Sequence, residues 1–173
     1  MIPKIFDDDL FSKIIDEANF YKAYKQTQKG KSKFKPDAMK FASKVISIKS
    51  VRGKTFATLL GSAQNINPTL SRRNLPLSIY HDTTSKHVQD IYQDVDFVGY
   101  TCIESDYLYR GFSGKLAVGD YVVFSNVGSY SLVLKPPFIL PNFAVVEYDT
   151  RYGSIELVKE NETFEDVFHT FKF

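Results

Sequence analysis

The sequence predicts a mainly β fold: an antiparallel barrel or sandwich, preceded by an α-helix and followed by a short one. Three observations carry this. Phe and Tyr supply all of the 15% aromatic content, within a hydrophobic fraction of 43%, which is a globular and strand-favouring composition. From residue 41 onward, apolar runs of strand length recur between turn signals. Helical spacing is confined to the two ends of the chain. At 173 residues, the chain is long enough for one domain with a real core.

The elements follow in order. Asp7, Asp8 and Asp9 make a good helix start, because acidic side chains suit the positive end of the helix dipole. Leu10, Phe11, Ile14, Ile15 and Ala18 then recur at helical spacing. The helix is expected to run through Phe20 and Tyr24 to Gln28. Gly30 is a suitable stop, and 31–36 reads as a basic linker. Residues 1–40 are thus a helical, basic segment, and residues 41–173 the β domain. Within the latter, 44–51 and 54–60 form a hairpin around Arg52-Gly53. Residues 61–76 are polar and turn-rich. Weaker strands are expected at 77–80 and 87–92, and stronger ones at 96–103 and 120–125. Pro136, Pro137 and Pro141 interrupt regular structure. A closing hairpin, 143–148 with 154–158, turns at 151–153. Thr163 caps a final helix over 164–168.

Several function classes are excluded or disfavoured. The apolar runs are far too short to span a bilayer, and the N-terminus lacks the basic-then-apolar order of a signal peptide. The single Cys rules out an internal disulfide framework and fits a reducing cytoplasm. One Cys and three scattered His give no zinc spacing, so no metal is expected. A net charge of +2 does not argue for nucleic acid by itself. The charge is uneven, however: between Tyr21 and Lys44 lie eight lysines and one acid.

The motifs that carry chemistry are Gly99-x-x-Cys102-x-x-x-Asp106, Gly119-Asp120 and Gly128-Ser129-Tyr130. With the opening strands from Phe41 and Glu162–Asp166 at the end, they stand in an order and at intervals that resemble the C-terminal sheet domain of pyridoxal-phosphate-dependent diaminopimelate, ornithine and arginine decarboxylases. The resemblance covers about residues 41–168 and implies the barrel-like sheet fold shared with alanine racemase. It further implies that Cys102 reaches into a partner's active site and returns a proton to the carbon from which carbon dioxide has left. A thiol suits that task because its pKa lies near enough to neutrality to give and regain a proton. Tyr130 matches the tyrosine that lies against the coenzyme phosphate, and Asp106 matches a later aspartate. Glu104 and Asp106 are the candidate substrate ligands. Ile103 departs from the pattern, since the family carries a carboxylate there for a distal amine. In a strand, Glu104 would face away from that position.

The coenzyme lysine of the family sits on an α/β barrel of about 200 residues or more, and only about 40 residues precede Phe41. The expectation is therefore a truncated or detached decarboxylase domain, at most part of a lyase. It would be inactive alone, meeting pyridoxal phosphate only in a homodimer or in complex with a separate barrel chain. The plain readings of the same residues stand beside this. A lone Cys in a strand is ordinarily a small buried hydrophobe. Tyr130 can be a turn or core tyrosine, Asp106 and Asp120 turn residues, and Glu104 a solvated charge. His81, His87 and His169 share no pattern. On those readings the domain is a non-catalytic interaction module.

Residues 19–41, with Asn19-x-x-x-Ala23-Tyr24 and Lys29-Gly30-Lys31, weakly resemble the entry segment of group II intron and retron-type reverse transcriptases. Lysines from Lys22 to Lys35, interleaved with Phe20, Tyr21, Tyr24 and Phe34, could hold phosphates and stack bases. The alternative is a solvated basic helix and linker.

Overall fold

A two-residue turn at Arg52 (φ 50°) and Gly53 (φ 80°) organises the first hairpin. Two successive left-handed residues match the twist of the flanking strands, and Gly takes the second at no steric cost. The hairpin joins β1 (Met39–Val51) to β2 (Lys54–Leu59), as the sequence predicts. The computed structural model describes residues 39–66, 74–82, 89–128, 131, 134–149 and 151–172. The helix expected over 7–28, the basic linker 31–36, His87 and Tyr130 lie outside the described residues.

Strand β1 is long because it serves two half-sheets. Its first half pairs with β6 (Tyr121–Val127), from Met39 opposite Val127 to Lys44 opposite Tyr121. Its second half pairs with β2, from Val45 opposite Leu59 to Val51 opposite Lys54, with a bulge between Val45 and Ser47. The bulge bends the strand and lets it turn the corner. The six strands run in the order β3-β6-β1-β2-β4-β5. Here β3 is Leu77–Tyr80, β4 is Asp90–Val98 and β5 is Tyr107–Leu116. All pairs are antiparallel except β2 with β4. That parallel pair requires a crossover, and the intervening chain supplies it through the single-turn helix α1 (Ala63–Ile66) and β3 on the far half-sheet.

The bent sheet encloses one main core, in which Val45, Leu59, Val95, Phe97, Leu116, Val122 and Phe124 are all buried. These residues come from both halves, which makes the sheet barrel-like. The 2-residue period explains the run Tyr121 to Phe124, where four successive residues are buried. Val122 and Phe124 point into the main core. Tyr121 and Val123 face the other way and pack with Tyr80 and Ala42. Ser43 breaks the apolar pattern: its buried hydroxyl has no hydrogen-bond partner among the described residues. Ser43→Ala is therefore expected to leave stability unchanged or raise it by up to about 1 kcal/mol, read from the midpoint of thermal or urea unfolding.

A second sheet has two strands only, β7 (Val145–Asp149) and β8 (Ser154–Lys159). The final helix α2 (Phe164–Phe168) starts at Thr163 as expected. Thr163 Oγ1 accepts from the Asp166 N–H, and the Asp166 carboxylate accepts from the Thr163 N–H, forming a capping box. The Thr163 N–H first, and then the Thr163 hydroxyl, both donating to the carboxylate, hold the Asp166 carboxyl below its ordinary value. A depressed pKa means that the cap's contribution is complete above pH 3.8 and fades as pH falls through the lower folded value. Amide exchange in α2 is expected to quicken over that acidic window, and unchanged exchange there would refute the linkage.

Two expectations need correction. The strand expected over 96–103 ends at Val98, and residues 99–106 form a loop. The strand β5 that follows is invisible to alternation, because Gly111 and Gly114 interrupt it and Asp94 (φ 53°) and Gly111 (φ 77°) lie at irregularities in its pairing with β4. A buried carboxylate secures that irregular ladder. Asp96 Oδ1 accepts from the Gly111 N–H at 2.9 Å and lies 3.1 Å from Lys54 Nζ, so β2, β4 and β5 are tied at one point.

Candidate functional site

Cys102 sits in the β4–β5 loop, not in a strand, and is exposed. The reading of this residue as a small buried hydrophobe is thereby overturned. The reason lies in the backbone. The Gly99 N–H donates to the Asp106 carbonyl at 2.9 Å and the Tyr100 N–H to the Gly61 carbonyl at 3.1 Å. The Asp106 N–H returns to the Ile103 carbonyl at 3.0 Å. With these groups committed within the loop and to Gly61, Cys102, Ile103 and Glu104 project at its tip, all exposed. The strand alternation expected to set Glu104 against position 103 does not operate in a loop.

Asp106 holds the loop. Its side chain is buried. Oδ1 accepts from the Ala63 N–H at 2.6 Å and from Ser62 Oγ at 3.1 Å. Oδ2 accepts a short hydrogen bond from Thr101 Oγ1. One carboxylate thus fastens the thiol loop to the start of α1. Gly99 makes room for it: a Cβ there would stand 2.0 Å from Asp106 Oδ2. Tyr100 adds a further tie, donating its hydroxyl proton to the Phe138 carbonyl at 3.4 Å. Burial first, then the nearby Asp106 charge, raises the pKa of that hydroxyl. Asp106 is therefore surrounded by internal donors, whereas Glu104 is open to solvent.

Asp120, at 1% exposure, plays a like part at the other end of the sheet. Its Oδ2 accepts from the Ala117 N–H at 2.8 Å and lies 2.9 Å from His81 Nδ1. Its Oδ1 accepts from the Asp82 N–H at 3.1 Å. Its backbone carbonyl takes the Val45 N–H at 2.8 Å, and the Gly119 N–H donates to the Val45 carbonyl at 2.8 Å. The Gly119-Asp120 turn is thus pinned beside the bulge where β1 turns the corner. Gly119 (φ 103°) occupies backbone space that disfavours other residues.

The structure brings Cys102, Glu104 and Asp106 into one loop, with the first two exposed and the third buried. It does not describe Tyr130. Sequence reasoning missed Ser62, Thr101 and Tyr100 as the scaffold of that loop. The only signal for it was the pairing of Gly99 with Asp106 in one motif. Among the described residues, no group of three or more His, Cys, Asp or Glu could hold a metal ion. No described helix is long and apolar enough to cross a membrane. Both buried motif carboxylates, Asp106 and Asp120, are committed to internal donors, and the residue matched to the coenzyme phosphate lies outside the described set.

Comparison with known proteins now gives the loop a context. Residues 9–128 match the family described as pyridoxal-dependent decarboxylase, C-terminal sheet domain. The match takes in 19–41, and the reverse-transcriptase likeness of that stretch finds no support. No curated protein matches the chain. Among solved structures, diaminopimelate decarboxylase from Helicobacter pylori, complexed with L-lysine, superposes with a TM-score of 0.62 at 19% identity. It covers 76% of this chain and 31% of its own. Diaminopimelate decarboxylase from M. jannaschii, in co-complex with L-lysine, gives 0.65 at 18% identity, over 78% of this chain and 30% of its own. The chain thus spans about a third of the length of the solved structures it resembles, and the likeness is one of fold.

Proposed function

Because the chain belongs to the family of pyridoxal-dependent decarboxylase C-terminal sheet domains, we propose that it acts as the thiol-presenting part of such an enzyme. The observation that supports this best is Cys102 itself, exposed at the tip of a loop that a buried carboxylate holds in place. A solvent-facing thiol on a fixed loop can enter a neighbouring site, whereas a buried one cannot. The partner is a second subunit or a separate barrel chain, and it holds the coenzyme. Pyridoxal phosphate supplies the sink for the electron pair left when carbon dioxide departs. The part of this chain is to deliver the Cys102 proton to the substrate carbon, and Tyr130 is assigned to the coenzyme phosphate. Glu104 is the open carboxylate beside the thiol and so the candidate ligand for a substrate ammonium group. Asp106 acts through the loop, because its acceptor atoms are occupied.

The test is reconstitution. Mixed with a barrel chain that holds pyridoxal phosphate, the protein should form a complex that releases carbon dioxide from a diamino acid or related amino acid. Cys102→Ala should lower that rate by about a hundredfold while the complex persists. No complex with any such barrel, or activity indifferent to the thiol, would refute the proposal.

A second reading is favoured by Ile103, which is 38% exposed beside the thiol. An apolar side chain cannot pair with an ammonium group, and an exposed one suits a protein contact. On this reading the sheet is a binding module without catalysis. A stable complex whose decarboxylase rate ignores both Cys102→Ala and Ile103→Asp would select it.

A further inference from the structure

From Leu134 onward the chain folds without building a core. No described residue between Leu134 and Lys172 is buried, yet the segment holds β7, β8 and the capped helix α2. Of the seventeen exposed large hydrophobic residues among the described ones, twelve lie between Leu134 and Phe171. On the β7–β8 hairpin, Val146 pairs with Leu157 and Tyr148 with Ile155, so these side chains share one face. A two-stranded hairpin is marginally stable at best by itself. Before the hairpin, Phe138, Ile139 and Leu140 are exposed as well. Ile139 holds φ at 67°, a costly conformation for a β-branched residue, while its side chain stays 57% exposed. Apolar surface of this extent on a folded segment marks an interaction site.

We propose that this face, running from 138–140 onto the β7–β8 hairpin, is where the coenzyme-holding chain docks, through an apolar patch rimmed by lysine or arginine. The inference rests on the reading of Cys102 given above and names the surface that brings the thiol to its partner. Three features identify the occupant. The first is continuity with the thiol loop. The Tyr100 hydroxyl, two residues before Cys102, donates to the Phe138 carbonyl at 3.4 Å. The Glu162 N–H donates to the Asn142 carbonyl at 2.9 Å, and the Asn142 N–H returns to Glu162 Oε2 at 3.0 Å. Thiol loop, 138–140 and the base of the hairpin are therefore tied in series, and a chain that takes in Cys102 lies against 138–140. The second is charge. Arg151 pairs with Asp149, and Lys159 with Glu162. Glu147 stands opposite Glu156 on the other face of the hairpin. Among the described residues, no salt bridge joins Glu147, Glu156, Glu160 or Glu165 to a base. Acids around an apolar face select a partner with a basic rim. They also disfavour a second copy, because a two-fold contact would set this acidic patch against itself. The third is extent. In the Helicobacter pylori enzyme the corresponding fold makes up 31% of the chain, so there the sheet domain is the smaller part of a larger body. An apolar face without a core suits the place where such a body meets it.

The experiment puts the photo-crosslinking residue p-benzoylphenylalanine in place of Phe138, Leu157, Ile103 or Ile91, one at a time, in the full chain within the cells that make it. Mass spectrometry then identifies the captured chain. Ile91 is the control, since it pairs with Lys115 at the end of β4 away from the thiol loop. Positions 138 and 157 should capture a chain that carries pyridoxal phosphate, and position 91 should not. Ile139→Asp and Ile155→Asp should each lower that yield about tenfold, as at the centre of an interface, while Cys102→Ala keeps it. Both isoleucines are exposed, and an unchanged urea midpoint checks that each variant folds. A coenzyme chain captured from position 103 but not from 138 and 157 would overturn this surface and leave the reading of Cys102 standing. A coenzyme chain captured from none of the positions would overturn both. Equal capture from position 91, or a second copy of this chain captured from 138 and 157, would overturn the proposal as well.

Discussion

Gly99→Ala is expected to unfold the thiol loop and to remove much of the stability of the domain. A Cβ at position 99 would stand 2.0 Å from Asp106 Oδ2 and 2.5 Å from its Cγ, far inside van der Waals contact. One of the two residues has to move. Moving Asp106 leaves the Ala63 N–H and the hydroxyls of Ser62 and Thr101 without their acceptor. Each buried donor so orphaned costs about 1–3 kcal/mol, in addition to about 1–3 kcal/mol of overpacking. The sum is a large part of the about 5–15 kcal/mol that holds a domain together. The two residues are in contact, so their substitutions should not add. Asp106→Gly empties the space, and Gly99→Ala should then cost much less than in the native background. Urea unfolding of the four variants measures this coupling. Full additivity would show that the carboxylate does not occupy that space.

Asp120→Ala is the second large loss expected. The carboxylate is almost fully buried and accepts from the amides of Ala117 and Asp82 while meeting His81. Truncation orphans two backbone donors at about 1–3 kcal/mol each and leaves a cavity. His81 is 34% exposed, so water replaces part of its lost contact and its share is smaller. The consequence reaches beyond the turn. The Asp120 carbonyl and the Gly119 amide clamp Val45 at the bulge of β1, so loosening the turn loosens the junction of the two half-sheets. Amides of β1 and β6 should exchange faster than those of β2 and β4. Asp120→Asn keeps the shape but turns a donor toward donors, and it should recover only part of the loss. A variant as stable as the parent would remove Asp120 from this role.

The two aspartates show how far sequence reasoning carried. The sequence offers a turn reading for both, and for Asp106 a second one as a substrate ligand; both do lie at turns in the chain. Their anchoring roles were hidden because their partners are distant: Asp106 meets Ser62 and Ala63 across more than forty residues, and Asp120 meets His81 across 39. The motif around Cys102 was legible, but its backbone was not. Thr101-Cys102-Ile103 is as apolar and β-favouring as a strand. Nothing local reveals that the amides of Gly99 and Tyr100 are claimed by Asp106 and Gly61.

By itself, the sequence determined the features set by local chemistry. These are the hairpin turn at Arg52-Gly53, the strand over 120–125, and the helix cap at Thr163. Each depends on contacts within a few residues, where side-chain type and spacing are sufficient. Tertiary structure alone decided that β1 serves two half-sheets, that the glycine-broken β5 is a strand, and that the single thiol is presented to solvent. Those outcomes depend on hydrogen bonds and excluded space between segments far apart in the chain, which no local pattern encodes.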